Sequence, residues 1–216
     1  MLNYDKMRKE LRKMITPDTV FVCIGTNKVR FDEFGPLCGT LLKNKGIPCF
    51  GTCEDNVNAL TMNHKLDLIY NGCKINNKDI IAIDAAVTAS DSRVNKLKIQ
   101  KGLGVHPGAG VGKTFPVVGE NSVIMFTLNK IDLKETMNGY RTGKGRVSDL
   151  SNEEIIFEKA VILTNIIEEV YNEVCNTINV VVECQTKKEP ENLYSEMKDL
   201  EDHTLRGSSN SISPKT

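Results

Sequence analysis

The stretch Asp79–Ala86, DIIAIDAA, decides the fold class. Three isoleucines around one alanine make a short, continuous apolar run bounded by acids, the pattern of a strand buried on both faces. Such strands belong to parallel sheets covered by helices, and in open α/β sheets ligands bind outside the carboxyl ends of the strands. This strand is expected to end at Asp84, which puts that carboxylate at the ligand-binding edge. A second run, VFVCIGT over Val20–Thr26, has the same character, and the loop after it carries Asp32. The two acids are expected to face one another across the sheet edge.

Composition narrows the function classes. At 216 residues the chain suits one well-buried domain with extensions. Its 28 basic and 28 acidic residues cancel, so no overall field favours nucleic acid or an anionic membrane surface. No apolar run approaches the roughly 20 residues of a membrane span, and the charged start has no signal-peptide core. A cytoplasmic protein is the expectation, with a basic or an acidic partner equally open. The seven cysteines are odd in number and scattered, which in a reducing compartment reads as small buried apolar side chains.

Along the chain, residues 3–14 place Met7, Leu11 and Met14 at helical spacing, so 1–18 is expected to be an N-terminal helical segment. FGPLCGTLL (34–42) carries proline in its first turn and an apolar stripe, completing strand, loop and helix. A short edge strand is expected at 46–50, where Pro48 sits, and a helix from Asp55 to about Tyr70, with Val57, Leu60, His64 and Leu68 on one side. KLKIQ (96–100) alternates as a half-exposed strand, and NSVIMFTLN (121–129) reads as another buried one. Residues 130–150 are polar and glycine-rich. Ser151 to Glu154 fits a capping box opening a long helix with Ile156, Ala160, Leu163, Ile167, Val170 and Val174 on one face. The α/β domain is expected over 19–184 and a disordered polar tail over 185–216.

The chemistry-bearing motifs are few. PGAGVGKT (107–114) nearly spells the phosphate loop G-x-x-x-x-G-K-[ST], but Pro107 stands at the first glycine, and Phe115-Pro116 follows where a helix must begin. Two readings stay open: the bare backbone of Gly108, Gly110 and Gly112 offers N–H groups to a peptide or an oxyanion, or the segment is a tight turn needing positive φ. Cys49 and Cys53 have no companion pair, which argues against structural zinc. His64 reads as a core histidine, whereas His106 enters the glycine loop. Asp32 and Asp84 are either helix-capping acids or a catalytic pair, with Glu33 competing for the first position.

Taken together, GT at 25–26, Asp32-Glu33-Phe34-Gly35-Pro36, AIDA around Asp84, and HPGAGVGK from His106 with PVVG after it resemble the sporulation protein YyaC family of spore proteases. They are similar also to the germination protease of spore-forming bacteria, whose segments read D-A-L-G-P, I-D-A-L and H-P-G-S-G-V-G. The resemblance spans about residues 20 to 178, in the same order. It implies an α/β, three-layer phosphorylase/hydrolase-like fold with a mostly parallel central sheet and helices on both faces, shared with hydrogenase maturation proteases. It implies too an atypical aspartic endopeptidase of the forespore or spore core that cleaves small acid-soluble spore proteins without a cofactor, its two acids falling on Asp32 and Asp84.

Two carboxylates at hydrogen-bonding range hold one proton between them, so one can activate water while the other protonates the carbonyl. His106, Gly108, Ala109 and Gly110 are then the expected substrate-binding groups. Two rivals remain open. One is a maturation-type peptidase with nickel or zinc on Asp32, Asp84 and His106; the other is a non-catalytic sporulation protein that keeps the fold to bind a partner.

Overall fold

A computed structural model of the chain describes residues 3–108 and 114–179, without side-chain detail at 147, 148 and 177–179. Its strands are β1 (Val20–Cys23), β2 (Cys49–Phe50), β3 (Ile80–Thr88), β4 (Leu97–Gln100) and β5 (Asn121–Asn129). They form one sheet in the order β2-β1-β3-β5-β4. β2, β1, β3 and β5 run parallel, and only β4, on an edge, is antiparallel. The α/β architecture with a mostly parallel central sheet is therefore the one expected, and β2 with its preceding proline does lie at an edge.

Alternation of side chains along the strands divides the interior into two layers. Phe21, Cys23, Ile81, Ile83, Val123 and Met125 face α1 (Tyr4–Arg12), α2 (Phe34–Asn44) and α5 (Glu153–Asn179) in one continuous core. The whole stripe Ile156, Ala160, Leu163, Ile167, Val170 and Val174 of α5 is buried there, as its spacing predicts, and Met7 and Leu11 of α1 join it. Val20, Val22, Ile80 and Ala82 point the other way and are equally buried. That second layer belongs to α3 (Met62–Asp67), because β1-to-β2 and β2-to-β3 cross over in opposite directions and right-handed crossovers put their helices on opposite faces.

Several expectations need correction. The strand that decides the fold does not stop at Asp84; it runs on through Thr88, because β5 continues to pair with it on one side. The helix expected over 55–70 is confined to Met62–Asp67 with a π turn over Leu68–Gly72. Leu60 and His64 are exposed there, while Lys65, buried, reaches Asp55 at 2.8 Å. Within 130–150 lies a full helix, α4 (Lys130–Arg141), whose first N–H groups are capped by Asn129. The cap of α5 is Asn152, which accepts from the Ile155 N–H at 3.0 Å, while the Ser151 hydroxyl donates to Asp149. The polar tail expected over 185–216 lies outside the described residues. Among those described, no helix is long and apolar enough to cross a membrane.

Candidate active site

The chain leaves β1 toward β2 on one side and returns as β3 on the other. At such a switch in direction the connections diverge and leave a crevice at the carboxyl ends of the two strands, which is where open α/β sheets bind ligands. Both expected acids lie at this crevice. Asp84 is the first residue of β3 beyond the last one paired with β1, Ile83, so although it sits within its strand it stands where the β1 side of the sheet ends. Asp32 ends a 3-10 turn (Arg30–Asp32) between β1 and α2, and that turn packs on β3 and β5.

Two backbone approaches fix the turn. The Thr26 N–H donates to the Asp32 carbonyl at 3.0 Å, and Gly25, at φ +138°, passes so close that a Cβ would lie 2.1 Å from the same oxygen. A Cβ on Gly35, in the first turn of α2, would lie 2.0 Å from the Ile24 carbonyl. Only glycine permits this contact, so the G-T and F-G-P segments around Asp32 serve to seat α2 against the end of β1.

Asp32 and Asp84 are surrounded by protein, yet each keeps some accessible surface, as groups on the floor of a cleft do. Burial raises the Asp32 carboxyl to about 7, against the pull of the Thr26 N–H. Asp84 is held well above the ordinary carboxyl range, first by burial and then by the charge of Asp32, with the Ala85 N–H pulling the other way. The two acids thus lie within electrostatic reach of each other. Among the described residues neither has a lysine or arginine partner. A largely buried carboxylate pair with no counter-ion among the described residues is poised to keep a proton.

Asp32 and Glu33 are placed differently, through residues that no local pattern reveals. Glu33 is buried and binds Arg146 at 2.9 Å, and it is Asp32 whose charge reaches Asp84. Arg146 also donates to the Asn27 carbonyl at 2.9 Å. Asp149 accepts from the Phe31 N–H at 3.2 Å and from the Tyr140 hydroxyl at 3.1 Å, and its carbonyl accepts from Arg30 at 3.1 Å. Thr127 donates to the Phe31 carbonyl at 2.7 Å. The segment 140–149, polar in sequence, is a clamp on the turn that carries Asp32. The one legible hint of it was the Asn129 cap that starts α4.

The glycine segment is placed differently. Val105 pairs with Val118, just ahead of β5, and a Cβ on Gly119 would meet the Ile80 carbonyl at 2.8 Å. Both contacts lie toward the amino end of β3. His106 follows Val105 directly and is exposed, and Gly108 has φ +86°. No hydrogen bond or ion pair among the described residues brings His106 to either acid. Ala109 and Gly110 lie outside the described residues. A metal on Asp32, Asp84 and His106 lacks its third ligand in this arrangement, and among the described residues no three His, Cys, Asp or Glu side chains converge to hold an ion.

Comparison with known proteins places the chain within a family. Residues 2–158 match the family described as "Protein of unknown function (DUF1256)". The chain is similar to the "Uncharacterized protein YyaC" of Bacillus subtilis (strain 168), 38% identical over 117 residues, which are 53% of this chain and 55% of that protein. The match thus spans about half the length of the curated relative. No solved structure matches the chain significantly.

Proposed function

This chain belongs to the DUF1256 family, and from the placement of its two buried carboxyls, with the resemblance of its sequence blocks to the germination protease, we propose that it is an endopeptidase of atypical aspartic type. The observation that carries the proposal is the pair Asp32 and Asp84: two carboxyls at the switch point of a parallel sheet, each raised by burial, one raised further by the other, and neither paired with a lysine or arginine among the described residues. In the singly protonated pair one carboxyl keeps the proton while the other is ionised; with Asp84 held the higher of the two, Asp32 is the proposed base and Asp84 the proposed acid. Asp32 then takes a proton from water as the water oxygen attacks a peptide carbonyl, and Asp84 donates its proton to the carbonyl oxygen. The pair titrates as a unit, so activity is expected to rise as the pH passes through about 7, where the first proton leaves.

Small acid-soluble spore proteins are the proposed substrates and the forespore or spore core the proposed setting; both follow from the resemblance of the three sequence blocks to the germination protease. The test incubates purified protein with such a spore protein, comparing the wild type with Asp32→Asn and Asp84→Asn, with and without a chelator. Cleavage lost by at least a hundredfold in both variants and retained in chelator is expected. Cleavage that survives either substitution refutes the dyad, and cleavage abolished by chelator alone moves the reaction to a metal. Sporulating cells that are unaffected by Asp84→Asn would leave the acid a structural role in a binding protein.

A further inference from the structure

β3 outruns β1, and the portion that outruns it has an open edge. The last rung between them is the Ile24 N–H donating to the Ile83 carbonyl at 2.7 Å. Peptide groups along a strand point alternately to its two neighbours. Ala85, two residues on, therefore turns its N–H and carbonyl to the side where β1 no longer runs. Its N–H is taken by the adjoining side chain, Asp84 Oδ1, at 2.8 Å, and its carbonyl has no hydrogen-bond partner among the described residues. On the other flank the register steps from Ala86 opposite Phe126 to Val87 opposite Leu128, so the extra residue, Thr127, belongs to β5. The alternation of β3 is thereby preserved, and Val87 also faces the open side. Ala85, Ala86 and Val87 are half-buried, and the two alanine side chains are small.

Resting on the hydrolytic reading above, we infer that this open segment of β3 docks the substrate as an extended main chain. The guest strand continues the line of β1, donates to the Ala85 carbonyl, accepts from the Val87 N–H, and carries its scissile amide past Asp84. Only an extended polypeptide presents donors and acceptors at the spacing of a sheet ladder; a helix or a folded sheet has already committed its own. The site therefore selects by conformation, taking unfolded segments and refusing folded ones, with small side chains favoured where the guest passes Ala85 and Ala86.

Amide hydrogen exchange read by NMR tests this on the full chain carrying Asp84→Asn, which keeps an oxygen to accept from the Ala85 N–H. The probe is a degenerate library of unstructured ten-residue peptides. The Val87 amide is expected to exchange at least tenfold more slowly with the library present, and peptides N-methylated along the main chain are expected to give no protection. Unchanged Val87 exchange, equal protection by the N-methylated peptides, or protection confined to β4 overturns the inference. Cleavage by the wild type without Val87 protection defeats the docking alone; Val87 protection without any cleavage defeats the hydrolytic reading alone. Should Asp84→Asn not fold, Asp32→Asn takes its place.

Discussion

A carboxyl that resists ionisation in the folded chain ties stability to pH. Burial lifts Asp32 to about 7, and burial with the Asp32 charge holds Asp84 higher than an ordinary carboxyl. The folded state thus binds these protons more tightly than the unfolded one. The stability they contribute is complete below the unfolded carboxyl value, about 4, and is lost as the pH rises through the folded values. The melting temperature of the wild type is expected to fall between pH 5 and pH 8 relative to that of the double variant Asp32→Asn/Asp84→Asn, whose carboxamides stay neutral. The difference should be on the order of 2 kcal/mol; parallel melting profiles across that range would show that the two acids titrate as exposed groups do. Glu33 behaves otherwise, since its raised value comes from burial opposed by Arg146. Arg146→Ala leaves that buried carboxylate without its ion pair and is expected to cost about 1–3 kcal/mol in urea unfolding at pH 8. Adding Glu33→Gln should recover part of the loss, and a double variant no more stable than Arg146→Ala would show that the pair contributes little.

Among the elements, those with strong apolar periodicity were legible and those held by polar contacts were not. The runs at 20–24, 80–83 and 121–128 and the stripe of α5 state their own burial, because a side chain facing a packed layer must be apolar at every turn or alternate position. α4 carries no such stripe. Its buried residues are Thr136 and Gly139, small groups that let the helix lie close without an apolar signature. The extension of β3 past Asp84 was hidden for a related reason: an acid followed by two alanines looks like the end of a strand until β5 is seen to pair with it. Asp32 and Asp84 could be nominated from the ends of apolar runs, but the pairing that sets Glu33 apart involves Arg146, 113 positions away. The seating of α2 gives the sharpest element-level prediction. In Gly35→Ala the new methyl would lie 2.0 Å from the Ile24 carbonyl, so α2 must move from β1 and carry Asp32 with it. A loss of at least 2 kcal/mol in urea unfolding is expected, with hydrolysis falling by more than the folded fraction does; a variant with unchanged stability would mean that the junction gives way easily.

At the scale of the molecule, the continuous core lies on one side of the sheet, and the proposed chemistry lies in the crevice where β1 ends. Leu163 is fully buried among the side chains of that core. Leu163→Ala should cost about 2–5 kcal/mol while leaving the pH profile of hydrolysis unchanged at temperatures where the variant is folded; a shifted profile would mean that the core and the crevice are mechanically coupled. The outer margins of the sheet have a further consequence. β2 offers a neighbour only two residues, and β4 shows Lys98 to solvent; short length and outward charge are both ways of discouraging strands from stacking across molecules. The gap above β1 is recessed between them. If the proposed docking holds, a sheet guarded at its rims and open in a notch takes a single visiting strand with little risk that one molecule becomes the template for the next.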